Sequence, residues 1–213
     1  MKSIRLAAAW TAAWAAAWAA ALLLAGCGSP PPSEPLHFYR LAIEPPSTAE
    51  APPAAQQEGV WQLLTPIPLP DYLQRDLLWL PVGDSGLQPL DGHRWAEPLR
   101  EALPRLLRQD LARLRGADRV WSGPLPAGLR IDRQLRVELL ALEPAADRAS
   151  VRLSARWSLT DPNGKLAPQQ AVAAFSVPSA GTTPQQLVAA HRLALWRLAE
   201  RIALPAPPQR QGL

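Results

Sequence analysis

Cysteine occurs once in the 213 residues, at Cys27, and this scarcity excludes two kinds of stabilising site. A single thiol cannot form a disulfide within the chain. It also cannot supply the several cysteine ligands that a structural zinc site usually has. Histidine is almost as rare, and His37, His93 and His191 are too scattered along the sequence to predict a metal site. We therefore expect no metal and no cofactor.

Neither sign of charge predominates after residue 26. Lys2 and Arg5 are the only charged residues before that point, so the remainder contains 20 basic and 18 acidic residues. Such a balance releases few counterions from a nucleic acid, so it argues against nucleic-acid binding. Long apolar runs are also missing there because charged residues interrupt them, and no later membrane-spanning helix is predicted.

The usual motifs of hydrolases and nucleotide-binding proteins are missing as well. One fragment, Gly83-Asp84-Ser85-Gly86, resembles the nucleophile loop of trypsin-like serine proteases. A Ser85 nucleophile would need a histidine base and an aspartate from a preceding half-barrel, which the sequence lacks. Glycine, aspartate and serine are also typical turn residues, so we interpret the fragment as a turn.

The first 26 residues have a basic start, an apolar stretch from 6 to 24 and small residues before Cys27. This order is typical of a signal peptide. Leu24-Ala25-Gly26-Cys27 fits the bacterial lipobox, which predicts cleavage between Gly26 and Cys27 and a lipid on the Cys27 thiol. The alternative is an uncleaved anchor, since about 19 apolar residues nearly span a bilayer.

Four regions follow from these patterns. Residues 1–26 are predicted to be a lipoprotein signal peptide and residues 27–35 a lipidated tether rich in proline and serine. Residues 36–204 are predicted to form one periplasmic α/β domain, and residues 205–213 a proline-rich disordered tail.

The first half of the domain is predicted to contain three strands and a helix. Strands are expected at residues 36–43, 60–64 and 77–80, the last apolar on both faces and hence central in a sheet. A helix is expected from about 95 to 114, bent or divided by Pro104. Leucines at helical spacing should form its buried stripe: Leu99, Leu103, Leu106, Leu107, Leu111 and Leu114.

The second half alternates apolar and polar residues with a period of two over 135–141 and 151–159, and a further strand is expected at 171–177. These segments predict an antiparallel meander in which Trp157 points inward. Thr183, Pro184 and Gln186 form the start of a second helix, with a capping box. The predicted fold is therefore α/β (α+β), a mixed sheet with two main helices.

Two motifs resemble a known family. Pro66 to Arg75 contains the fragment P-D-Y-L-Q-R, and Arg94 to Leu99 reads R-W-A-E-P-L. A strand around Trp157 and the Leu198-Ala199-Glu200-Arg201-Ile202 element complete the likeness, which covers most of residues 36–203. The chain resembles the PqiC (YmbA-type) family of ABC-type transport auxiliary lipoproteins.

The resemblance implies a non-catalytic outer-membrane lipoprotein that works with a mammalian-cell-entry (MCE) domain protein in lipid traffic across the periplasm. Phospholipid contact and homo-oligomerisation are compatible with it. The predicted partner contact uses arginines of the first helix, since arginine is enriched at protein interfaces: Arg100, Arg105 and Arg108. A stand-alone lipid carrier with an internal cavity is the alternative, and a hydrolase using Ser85 is the least favoured function.

Overall fold

The computed structural model describes residues 35–47, 59–83 and 85–203. The chain divides into two units, Met1–Pro35 and Leu36–Leu213, and the elements described below belong to the second. They form two mixed sheets and two long helices, so the predicted α/β class with two main helices is confirmed.

The larger sheet has five strands in the order β5-β2-β6-β7-β8. Its bounds are β2 Trp61–Leu63, β5 Val120–Ser122, β6 Arg133–Pro144, β7 Ser150–Thr160 and β8 Gln169–Pro178. The antiparallel pairs β6–β7 and β7–β8 confirm the predicted meander. The short strands β2 and β5 run parallel to their neighbours and make the sheet mixed.

The smaller sheet has three strands in the order β1-β4-β3. Its strands are β1 His37–Tyr39, β3 Leu77–Val82 and β4 Gly86–Trp95. The prediction that 77–80 is a central strand was wrong, because β3 lies at an edge and only its Leu78 and Leu80 are buried. Apolar residues on both faces of β3 therefore do not mean that both faces are covered.

Helix α1 spans Leu99–Arg115, so the predicted start at 95 was wrong. Trp95 is instead the last residue of β4, where its backbone N–H donates to Asp76 O at 2.6 Å. Pro98 is the N-cap, a position where the missing N–H costs nothing. Pro104 does not divide the helix.

Helix α2 spans Pro184–Ala203, and a capping box holds its first turn. The Thr183 N–H donates to Gln186 Oε1 at 3.2 Å, and the Gln186 N–H donates to Thr183 Oγ1 at 3.4 Å. Because each residue satisfies a backbone donor of the other, the predicted helix start is confirmed. The predicted leucine stripe of α1 is also buried.

The core lies between the inner face of the five-stranded sheet and the two helices. Helix α2 packs on β6, β7 and β8, and α1 packs on α2 and β5. A bulge between Leu139 and Ala141 shifts the alternation of β6, so Leu142 is buried and Leu140 is exposed. Trp157 packs against the core as predicted but is only half-buried, whereas Trp196 is fully buried.

Candidate functional site

The three-stranded sheet carries an apolar face that points away from the core. Phe38 and Leu77 both pair with Arg94, and residues paired across strands share a face. Trp79 lies on the same face because side chains alternate along β3. The seven apolar residues of this side are called the apolar face below: Leu36, Phe38, Leu77, Trp79, Pro81, Leu87 and Pro89.

The exposure of the apolar face differs sharply from that of the opposite side of the same strands. Phe38 is 62% exposed, Leu36 is 55% exposed and Leu87 is 40% exposed. On the opposite side, Leu78 and Trp95 belong to the buried core. The apolar face therefore offers large hydrophobic side chains to whatever lies beside it.

Strand β1 covers only one end of β4. It runs parallel to β4 and pairs with His93, Arg94 and Trp95, so residues 86–92 have no strand partner on that side within the described chain. Gly92, with a φ of 73°, lies where the strand becomes irregular. At the tip of the β3–β4 hairpin, Val82 is 50% exposed.

A buried ion pair holds the segment that follows β1. Arg192 of α2 donates two hydrogen bonds to Asp110 of α1, at 2.6 and 2.7 Å, and both side chains are almost completely buried. The Arg192 Nε–H also donates to Ala42 O at 2.7 Å, and Arg113 donates to Ile43 O at 2.9 Å. Arg192 of α2 and Arg113 of α1 therefore both bind the N-terminal segment of the domain, and the Asp110–Arg192 pair links the two helices.

Burial also shifts the ionisation of the residues in this region. Desolvation raises the pKa of Asp110, and the hydrogen bonds from Arg192 act against this rise. Desolvation lowers the pKa of His191 to about 4, so its ring is neutral near pH 7. The His191 Nδ1 lies 2.7 Å from Leu187 O, and the ring meets Trp95 edge-on, which identifies His191 as a packing residue.

A cavity of about 10 Å³ lies between the small sheet and α2, among Tyr72, Trp79, Trp95 and His191. That volume is about the minimum for one water molecule. The Trp79 Nε1–H borders it and has no hydrogen-bond partner among the described residues. Larger clefts, of about 380 to 560 Å³, lie open on the surface and are not enclosed by the core.

The structure does not bring the predicted contact arginines together. At about 100° per residue, Arg105 lies about 140° around α1 from Arg100, and Arg108 about 80°. Arg105 is held by Glu97 at 2.7 Å, whereas Arg100 is exposed and lies 3.6 Å from Glu101. Arg108 is half-buried.

The two other predicted sites are the lipidation site at Cys27 and the turn at Ser85. Cys27 and Gly26 lie outside the described residues, as does the tail from 205. Ser85 is exposed in the turn between β3 and β4, as predicted, and no hydrogen bond joins it to a histidine within the described residues.

Sequence reasoning did not predict the apolar face or the Asp110–Arg192 pair. The partners are 82 residues apart, and neither residue belongs to a motif. One usable signal was the pair of large apolar residues Leu36 and Phe38 on alternate positions beside the predicted tether. Alternation predicts that two faces differ, but it does not tell which of them is covered.

Residues 39–203 match the model of a family described as ABC-type transport auxiliary lipoprotein component. The chain belongs to this family. The family resemblance seen in the two sequence motifs is thereby confirmed. Membership makes the protein a component of ABC-type transport systems, and the family description names no reaction.

Two solved structures have a similar fold. An uncharacterized protein aligns with a TM-score of 0.62 and 19% identity, covering 80% of this chain and 97% of that one. A Xanthomonas campestris protein of the family DUF330 aligns with a TM-score of 0.58 and 16% identity, covering 78% and 92%. At these identities the likeness shows the fold alone. No curated protein matches the chain significantly.

Within residues 35–47, 59–83 and 85–203, neither helix is both long and apolar enough to cross a bilayer. In the same ranges, no group of three His, Cys, Asp or Glu side chains is arranged to hold a metal ion.

Proposed function

We propose that this auxiliary lipoprotein is a non-catalytic, outer-membrane subunit of an MCE-type system that moves lipid between membranes. The observation that carries the proposal is the family match over residues 39–203 behind a fitting lipobox at Cys27. The family description supplies transport and lipidation, and the sequence resemblance supplies the MCE partner.

The packing of the domain supports a subunit rather than a stand-alone carrier. A carrier would need an internal apolar cavity of several hundred Å³ to enclose an acyl chain. Among the described residues, the cavity between the small sheet and α2 has about 10 Å³, and the larger clefts are open to solvent. Lipid would therefore pass beside this domain or through an assembly with its partner, and not inside its core.

The outer-membrane location rests on the residues after Cys27. An aspartate at the next position retains many lipoproteins in the inner membrane, and here Gly28 and Ser29 follow. Separation of the two membranes on a density gradient tests this point. Recovery mainly with inner-membrane markers would contradict it.

Crosslinking in cells tests the partner contact. Photoreactive residues placed singly at Arg100, Arg105 and Arg108 should crosslink to an MCE protein, whereas one placed at Gln209 in the tail should not. Arg100 is the sharpest position because its side chain is 60% exposed. If no position crosslinks to an MCE protein and lipid copurifies inside the isolated protein, the carrier function replaces the subunit.

A further inference from the structure

We propose that the apolar face of the three-stranded sheet, together with the tip of the β3–β4 hairpin, lies on the surface of the bilayer that holds the lipid anchor. The occupant of this surface is thus the membrane itself. The proposal rests on lipidation at Cys27 and adds an orientation of the domain, which the proposed function does not specify.

The start of the described chain supports this orientation. Residue 35 is the first that the structure describes, and Leu36 and Phe38 of the apolar face follow it directly. The segment that begins at Cys27 is therefore joined to the domain next to the apolar face.

The link between Cys27 and the domain is short. Eight residues separate Cys27 from Leu36, and they reach at most about 30 Å when fully extended. Such a short link keeps the local concentration of the domain at the bilayer high, so weak apolar contacts suffice to dock it. Four of the residues between Cys27 and Leu36 are prolines, which have no N–H to pair with the free edge of β4.

The residue types on the apolar face and at the hairpin tip suit a membrane surface. Large apolar side chains with an arginine nearby are typical of segments that lie in the membrane interface. Phe38, Leu87 and Val82 are exposed here, whereas Trp79 is half-buried and its Nε1–H is buried at the cavity between the small sheet and α2. Arg94 is the charged residue on the same face, and its partner, Asp76, is itself well exposed.

Half of the exposed large hydrophobic side chains belong to this region. Leu36, Phe38, Val82 and Leu87 lie in or next to the small sheet, and four others are distributed over the rest of the described chain: Ile43, Leu140, Leu166 and Val172. Val172 is 70% exposed on β8 of the other sheet, so it is a control at an exposed apolar position outside the apolar face.

The test uses the full lipoprotein, because Cys27 is its only cysteine and a lipidated Cys27 has no free thiol. A single new cysteine is introduced as Leu87→Cys, Phe38→Cys or Val172→Cys and labelled with a polarity-sensitive dye. The labelled protein is placed on vesicles of phosphatidylethanolamine and phosphatidylglycerol that contain nitroxide-labelled lipid. We expect several-fold stronger quenching at positions 38 and 87 than at 172, with unchanged thermal unfolding.

Three outcomes would overturn the orientation. Equal quenching at all three positions, with the protein bound to vesicles, would show that the domain does not dock by this face and would leave the proposed function intact. Shielding of positions 38 and 87 both from iodide and from a nitroxide-labelled detergent, without vesicles, would show that protein and not lipid covers the face. Failure of the wild-type protein to float with vesicles would remove the anchor, and with it both proposals.

Discussion

Replacing Arg192 by methionine should destabilise the domain strongly. The change leaves the carboxylate of Asp110 buried, with Arg113 at 3.8 Å as its remaining cation, and removes the bond to Ala42 O. Breaking a buried ion pair from one side costs about 3–5 kcal/mol. In a domain of this size that corresponds to a fall in the melting temperature of roughly 6–20 °C.

Thermal unfolding of the detergent-solubilised lipoprotein, followed by circular dichroism, measures this effect. The matched control is Arg156→Met, which removes the exposed Arg156–Glu138 pair, because exposed pairs contribute only about 0–1 kcal/mol. The double variant Asp110→Leu/Arg192→Met should regain part of the loss, since no buried charge is left unpaired. A melting temperature for Arg192→Met within the error of that for Arg156→Met would refute the reasoning.

The pH dependence of the same variant has a definite sign. Burial already raises the pKa of Asp110, and loss of Arg192 removes the hydrogen bonds that oppose the rise. A carboxyl group whose pKa is raised by folding favours the folded state at low pH and loses that contribution as the pH rises through its folded pKa. The deficit of Arg192→Met relative to the wild type should therefore shrink as the pH is lowered toward 4. A deficit that grows in acid would contradict the placement of a buried, unpaired carboxylate.

Three further predictions concern other parts of the chain. Cys27→Ser should leave an unlipidated protein that retains residues 1–26, as intact mass spectrometry would show, and an unmodified Cys27 in the wild type would contradict the lipobox. Desolvation lowers the pKa of His191 from 6.5 to about 4 on folding, so the contribution of His191 to stability should fall by about 3 kcal/mol as the pH drops from 6.5 to 4. His191→Leu should reduce this dependence of stability on pH, measured by urea unfolding, whereas the exposed control His37→Gln should not. Trp196→Ala should cost about 3–5 kcal/mol because that ring is fully buried, and Trp157→Ala should cost clearly less; equal losses would show that their burial is misassigned.

Where a local pattern decided the structure, it was predicted well. The meander of β6, β7 and β8 follows from alternation, because each strand has one face toward the core. The start of α2 follows from Thr183 and Gln186, which satisfy each other's backbone donors without help from the rest of the fold. The family resemblance was recognised from motifs that are likewise contiguous in the sequence, and the family model matches residues 39–203.

The strand β4 shows why other elements were missed. Its residues from Gly86 to Trp95 include Pro89 and Gly92 and have no clear period of two. They form a strand because β1 and β3 supply hydrogen-bond partners from distant parts of the chain. The helix that we predicted from about Trp95 therefore begins only at Leu99, after Pro98.

The candidate docking surface divides in the same way between sequence and structure. The sequence by itself determined a lipobox, a short proline-rich link and large apolar residues at Leu36 and Phe38, because these are properties of neighbouring residues. Only the tertiary structure decided that Phe38 and Leu87 share an uncovered face and that Asp110 and Arg192 meet in the core. The physical reason is that burial and ion pairing depend on which distant segments pack together, and hydrophobic burial has no preferred direction that a local pattern could record.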